Sequence, residues 1–172
     1  MKGPGSSERG NSWNYATATT KYKGRVLLLA FIQQVNTMTK EEIVILVEQV
    51  VAMGFKIRLI TLDAGFYTVD VLNFISQFKY IVGVSVEDVK VYEVFDGDYK
   101  TNSKRHRRDE QVEFRLLVYS KEKVRRKRKK SLVYFARATN LEIPKREVLD
   151  LYNKVRGPIE TSYRDKGFSP IY

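Results

Sequence analysis

An almost uninterrupted apolar run at residues 25–32 constrains the fold most strongly. Such a run is typical of a strand that is covered on both faces of its sheet. A helical pattern follows, in which Thr39 and Glu42 form a capping box and Gly54 marks the end. An apolar strand is then predicted over 55–62, so the chain alternates between strand and helix in the way that indicates an α/β protein.

The neighbouring segments extend this order. Strands are predicted at 12–20 and 24–33, with a turn at 22–24, before the first helix. A short helix at 68–78 and a strand at 80–85 follow the strand at 55–62. The predicted order is therefore strand, strand, helix, strand, helix, strand.

The second half of the chain changes to a β pattern. Strands at 112–119 and 131–138 are predicted to form a hairpin whose tip is 121–130. A helix is predicted over 144–156, and Gly157-Pro158 is expected to break it. Pro158 would then open a further helix that carries Glu160 in its first turn.

We expect four segments. Residues 1–11 are rich in glycine and serine and are expected to be disordered. Residues 12–88 form the first part of the core, 89–139 form a basic β-rich insertion, and 140–172 form a C-terminal helical part.

Length and composition allow one globular domain with a proper core, since 43% of the 172 residues are hydrophobic. The absence of cysteine excludes disulfides, thiolate zinc sites and cysteine nucleophiles. The longest apolar runs are shorter than the roughly 20 residues that a membrane span requires, so we expect no membrane association and a cytoplasmic location.

Positive charge is concentrated in one window. The chain carries a net charge of +11, and residues 99–130 hold 14 Lys or Arg against 4 Asp or Glu. This predicts a polyanionic partner. The hairpin tip holds eight basic residues in ten, and its candidate phosphate contacts are Arg125, Arg126, Lys127, Arg128, Lys129 and Lys130. The alternative is a solvated tip with no ligand.

Two stretches carry the candidate chemistry, LDAGFY at 62–67 and RGPIETSYR at 156–164. Asp63 follows a predicted strand, and ligands of open α/β sheets gather beyond the carboxyl ends of strands. Glu160 lies between Arg156 and Arg164, which could pair with it or with phosphate. The alternatives are a turn aspartate bound to backbone N–H groups and a glutamate favoured by the helix dipole.

Both stretches resemble the DDE transposases of prokaryotic insertion sequences, and the resemblance extends from about Trp13 to Lys166. It implies an RNase H-like (retroviral-integrase) fold, an α/β mixed sheet with flanking helices and a β-rich insertion between the second Asp and the Glu. Asp63 would be the second catalytic Asp and Glu160 the catalytic Glu, and both would bind Mg²⁺ or Mn²⁺.

The resemblance also assigns DNA-binding residues. Tyr152, Arg156, Glu160 and Lys166 match the Tyr…Arg…Glu…Lys signature of this family, with Tyr152 and Lys166 one position off its spacing. Arg156, Arg164 and Lys166 would bind phosphate, and Tyr152 would lie on the DNA-facing side or pack in the core.

Asp63 is the first aspartate of the chain, so no earlier residue matches the first catalytic Asp of the family. We expect a transposase shortened at both ends, without its first, central strand and without an N-terminal DNA-binding domain. The intact family uses two metal ions, and we expect weak metal binding or none here. Metal-dependent phosphoryl transfer on transposon-end and target DNA is the implied activity, without cleavage by this chain alone.

Further interpretations remain open. One is a catalytically silent DNA-binding protein or repressor, which would act as a homodimer or with full-length transposase. Another is a gene remnant with no stable fold, because unpaired strand edges aggregate. A third is a reading frame that continues upstream into an Asp-bearing strand.

Overall fold

The computed structural model describes residues 14–34, 40–102, 110–124 and 130–165, with side chains at all of these except 14, 15, 34, 102, 124, 130 and 158–165. Its strands and helices in chain order are β1 (Asn14–Tyr22), β2 (Arg25–Gln34), α1 (Lys40–Ala52), β3 (Ile60–Leu62), α2 (Val69–Ile75), β4 (Tyr80–Val84), α3 (Val86–Val89), β5 (Phe95–Asn102), β6 (Gln111–Val124), β7 (Lys130–Thr139) and α4 (Lys145–Asp165). The predicted alternation of strands and helices is confirmed through β4.

A two-stranded antiparallel sheet is formed by β1 and β2. Lys23 and Gly24 have φ angles of 47° and 80°, as a two-residue hairpin turn requires. The prediction that the apolar run of β2 is covered on both faces is wrong. Leu28 and Phe31 are 57% and 60% exposed, because the hairpin pairs with no other described strand and α1 packs on only one of its faces.

Helix α1 ends where the sequence predicts. Gly54 has a φ of 82°, its N–H donates to the Val51 carbonyl at 2.8 Å, and the Phe55 N–H donates to the Val50 carbonyl at 3.3 Å. This is the left-handed C-terminal cap that glycine favours. The predicted capping residue Thr39 lies outside the described residues.

The main sheet has five strands in the order β3-β4-β7-β6-β5. The pair β3 and β4 is parallel, and the other pairs are antiparallel. Helix α2 makes the crossover between the parallel strands, and its Thr68 cap accepts a hydrogen bond from the Val71 N–H at 3.3 Å. The protein is therefore mixed α/β.

Strand β3 forms one edge of this sheet. It spans three residues rather than the predicted 55–62, and within the described ranges it pairs only with β4. Its carboxyl end leads directly into Asp63.

The sheet packs helices on both faces. On one face, α1, α2 and α3 cover a core whose fully buried members include Leu72, Ile75, Val82 and Leu116. On the other face, Val148 and Tyr152 of α4 pack against Ile81 of β4 and Leu117 of β6. This second face is called the α4 face below.

The predicted hairpin of β6 and β7 is confirmed, but its strands are longer than predicted. Pairing continues to Val124 and Lys130, so residues 121–124 belong to β6 rather than to a loop. Residues 125–129 lie outside the described part of the chain. Strand β7 also pairs with β4, which makes this β-rich region an extension of the main sheet.

The predicted helix break at Gly157-Pro158 is wrong, because α4 runs without interruption from Lys145 to Asp165. Proline disfavours helical geometry at the preceding residue through a clash with its Cβ, and Gly157 has no Cβ. Glu160 therefore lies inside a long helix and not in a first turn. No helix in the described ranges is both long and apolar enough to cross a bilayer.

Candidate functional site

Asp63 begins the turn that follows β3. Its backbone is extended, with φ −76° and ψ 167°, and its carbonyl accepts a hydrogen bond from the Phe66 N–H at 3.1 Å. Its carboxylate makes no capping hydrogen bond to the turn. The alternative of a turn aspartate bound to nearby N–H groups therefore does not describe this side chain.

The carboxylate instead forms an ion pair with Arg156 of α4, joining Oδ1 to Nη1. The Asp63 side chain is 59% exposed, and exposed ion pairs contribute only about 0–1 kcal/mol to stability. The pair therefore matters for position more than for stability, since it joins the carboxyl end of β3 to α4.

Tyr152 supports this pair from α4. Its hydroxyl accepts a hydrogen bond from Arg156 Nη1 at 2.7 Å, while its ring is only 3% exposed and packs against Ile81 and Leu117. The alternative of core packing is therefore confirmed for the Tyr152 ring, and its hydroxyl contacts the Asp63–Arg156 ion pair.

Gly83 of β4 leaves the space in which the turn after β3 and the Tyr152 hydroxyl lie close to the strand. The sequence analysis did not identify this residue. A Cβ at this position would lie 2.9 Å from the Ala64 backbone nitrogen and 3.4 Å from the Tyr152 hydroxyl oxygen. The available signal was a glycine inside an otherwise apolar strand, which often marks a close backbone approach.

Arg137 of β7 is a second residue that the sequence analysis missed. It is the cross-strand partner of Gly83, and its guanidinium carbon lies 4.2 Å from the centre of the Tyr152 ring. The signal was a lone cation between Ala136 and Ala138 in a strand that is otherwise largely apolar.

Glu160 lies in α4 one helical turn after Arg156, or about 6 Å further along the axis. Its side chain and that of Arg164, also in α4, are outside the described set. Lys130 is the first residue of β7 and pairs with Val124, the last residue of β6. Of the remaining predicted residues, Lys166, Arg125, Arg126, Lys127, Arg128 and Lys129 lie outside the described ranges.

The described side chains do not fit a two-ion metal site. Mg²⁺ and Mn²⁺ favour carboxylate oxygens. Among the described side chains, this site contains one carboxylate, that of Asp63, and it is already paired with the Arg156 guanidinium. Within the described ranges, no group of three His, Cys, Asp or Glu residues is placed to hold a metal ion. The arrangement fits anion binding better, because Arg137 and Arg156 lie beside one tyrosine ring.

Comparison with protein-family models gives no matching family, and comparison with curated proteins gives no significant match.

Proposed function

We propose that this chain is a DDE-transposase-type protein of RNase H-like fold that binds transposon-end DNA. The observation that carries the proposal is the Asp63–Arg156 ion pair. It brings together the two sequence stretches on which the resemblance rests. The parallel β3–β4 unit supports the proposal, because Asp63 lies beyond the carboxyl end of β3.

Positive charge supports a nucleic-acid partner. Residues 99–130 hold 14 Lys or Arg against 4 Asp or Glu, and the ends of β6 and β7 carry this charge toward the hairpin tip. Basic clusters of this density bind phosphate backbones with an affinity that falls steeply with salt. Arg156 would add a phosphate contact next to Asp63.

We do not expect this chain alone to catalyse phosphoryl transfer. Asp63 is the first aspartate of the sequence, and its carboxylate is compensated by Arg156. We propose that Asp63 and Glu160 are the counterparts of two catalytic carboxylates, and that Mg²⁺- or Mn²⁺-dependent cleavage requires a further carboxylate from elsewhere.

A catalytically silent DNA-binding protein or repressor is the second candidate. The ion pair favours it, because a guanidinium on Asp63 competes with any cation for the same oxygen. Such a protein would occupy transposon ends or pair with full-length transposase. Adding it to a transposition reaction on the same ends would lower the yield of strand transfer.

The deciding experiment measures DNA cleavage and binding by the purified chain in Mg²⁺ and in Mn²⁺. Asp63→Ala and Glu160→Ala are compared with Glu48→Ala, which removes an exposed carboxylate of α1. Salt-sensitive binding without cleavage is expected for all four proteins. Cleavage that is lost only in the first two variants would show an active nuclease and overturn the proposal that the protein is catalytically silent. Absence of DNA binding would overturn the proposed function.

A further inference from the structure

Arg137 lies on the α4 face of the sheet, opposite Gly83 of β4 and Leu117 of β6. Its guanidinium carbon is 4.2 Å from the centre of the Tyr152 ring and 5.7 Å from that of Tyr119. Two aromatic rings therefore orient this side chain. Arginine held by stacking keeps the edge of its planar fork for hydrogen bonding.

Among the described side chains, no carboxylate pairs with Arg137. Its Nη1 donates to the Ala136 carbonyl at 2.6 Å, and its buried Nε has no hydrogen-bond partner in this set. Arg115, in the neighbouring strand β6, is paired with a carboxylate in the usual way. It makes bonds of 2.7 and 2.9 Å to both oxygens of Asp96 and donates to two backbone carbonyls.

A partly buried cation without a counter-charge is unfavourable. Contacts with aromatic rings offset part of that cost. Arg156 lies on the same ring, 5.7 Å from the centre of Tyr152. Two guanidiniums therefore lie beside one aromatic ring.

The row of cations and rings continues along the α4 face. Tyr119 and Phe135 stack with their centres 5.4 Å apart, and Lys121 lies within 6 Å of both rings. A groove of about 530 Å³ runs beside this row between β6 and α4, and its charged lining residues include Lys145, Arg146 and Asp150. An extended polyanion matches this row better than a single small ion.

We propose that Arg137 and Arg156 form a two-arginine phosphate site beside the Tyr152 ring, and that it binds a backbone phosphate of DNA. The proposal rests on the proposed function in that DNA supplies the phosphate. A phosphodiester carries one negative charge, which would supply the counter-charge that Arg137 lacks among the described side chains. Planar forks suit phosphate oxygens, because each can donate two parallel hydrogen bonds.

The first test measures the affinity for a short DNA duplex as a function of salt, for the wild type, Arg137→Gln and Arg137→Lys. The control is Arg25→Gln, which removes an exposed arginine at the start of β2. Loss of one phosphate contact should reduce the log–log salt slope by about 0.9 in Arg137→Gln. The control should keep the wild-type slope. An unchanged slope in Arg137→Gln, even with lower thermal stability, would make Arg137 a packing residue and overturn the proposal.

The second test follows the side-chain Nε–H signals of arginine by NMR while inorganic phosphate replaces chloride at constant ionic strength. The signal missing from Arg137→Lys identifies Arg137 in the wild type, so the test does not depend on the folding of Arg137→Gln. A phosphate-dependent shift of this signal is expected.

The two tests separate the two proposals. A shift without DNA binding would keep the phosphate site and overturn the DNA-binding function. DNA binding with a full slope in the variant and no shift would overturn the site and keep the function. Neither shift nor DNA binding would overturn both.

Discussion

The Asp63 carboxylate, at the carboxyl end of β3, pairs with the Arg156 guanidinium in α4. The two residues are far apart in the sequence and meet on the α4 face of the main sheet. Tyr152 accepts a hydrogen bond from the same guanidinium at 2.7 Å, so one arginine links an edge strand to the hydrophobic core. This link makes several properties of the protein testable.

Replacing Asp63 with asparagine should release Arg156 for phosphate. An exposed ion pair contributes about 0.5 kcal/mol, so DNA affinity should rise about two- to threefold without metal. Fluorescence anisotropy at low salt measures this change, with Glu48→Gln, at an exposed position of α1, as the charge-matched control. A fall in affinity would instead mean that Asp63 holds Arg156 in its binding position.

Replacing Gly83 with alanine should destabilise the protein by about 1–3 kcal/mol. The new Cβ would lie 2.9 Å from the Ala64 backbone nitrogen, which cannot yield as a flexible side chain would. Gly97→Ala is the control, since there the nearest atom is Cζ of the Phe95 ring at 3.3 Å. Urea unfolding measures both free energies, and equal values would show that the turn after β3 moves at no cost.

Replacing Pro158 with alanine should stabilise the end of α4 by about 3 kcal/mol. Proline lacks the N–H that would donate to the Lys154 carbonyl within this continuous helix. Amide exchange at residues 155–165 should slow by roughly 100-fold. Unchanged exchange would indicate that the helix is broken at this proline in solution.

Stability should fall at high pH partly because of Tyr80. Burial raises the pKa of Tyr80 from 10.0 to about 12, so between these values the unfolded chain has lost a proton that the folded protein keeps. The contribution of this group to stability is complete below pH 10 and decreases by about 1.4 kcal/mol per pH unit between pH 10 and about 12.

Tyr80→Phe should make this alkaline decrease shallower, whereas Tyr92→Phe, at a site 60% exposed, should leave it unchanged. Urea unfolding across this range measures both slopes. Tyr67, whose pKa is also raised to about 12 by burial, keeps some dependence in every variant. Identical slopes in Tyr80→Phe and wild type would contradict the expectation.

Local signals predicted the elements whose geometry depends on neighbouring residues. The turn at Lys23 and Gly24 and the end of α1 at Gly54 both use the positive φ angles that glycine favours. The hairpin of β6 and β7 followed from its alternating pattern. Its strands extend further than predicted because cross-strand pairing continues into the basic residues 121–124.

Two predictions failed where the outcome depends on distant parts of the chain or on competing local effects. The apolar run of β2 was expected to be covered on both faces, yet its coverage depends on which strands and helices pack beside it. A helix break was expected at Pro158, but the missing Cβ of Gly157 removes one of the clashes that would cause it, and α4 continues through this position.

The sequence by itself determined the α/β class, most element positions, the concentration of charge and the candidacy of Asp63 and Arg156. Only the tertiary structure decided that these two side chains pair, that Gly83 leaves the space for them and that Arg137 stacks on Tyr152. Residue types and periodicity reflect local conformational preference. The distances between these side chains depend on strand register and on the packing of α4 against the sheet, which only the folded chain specifies.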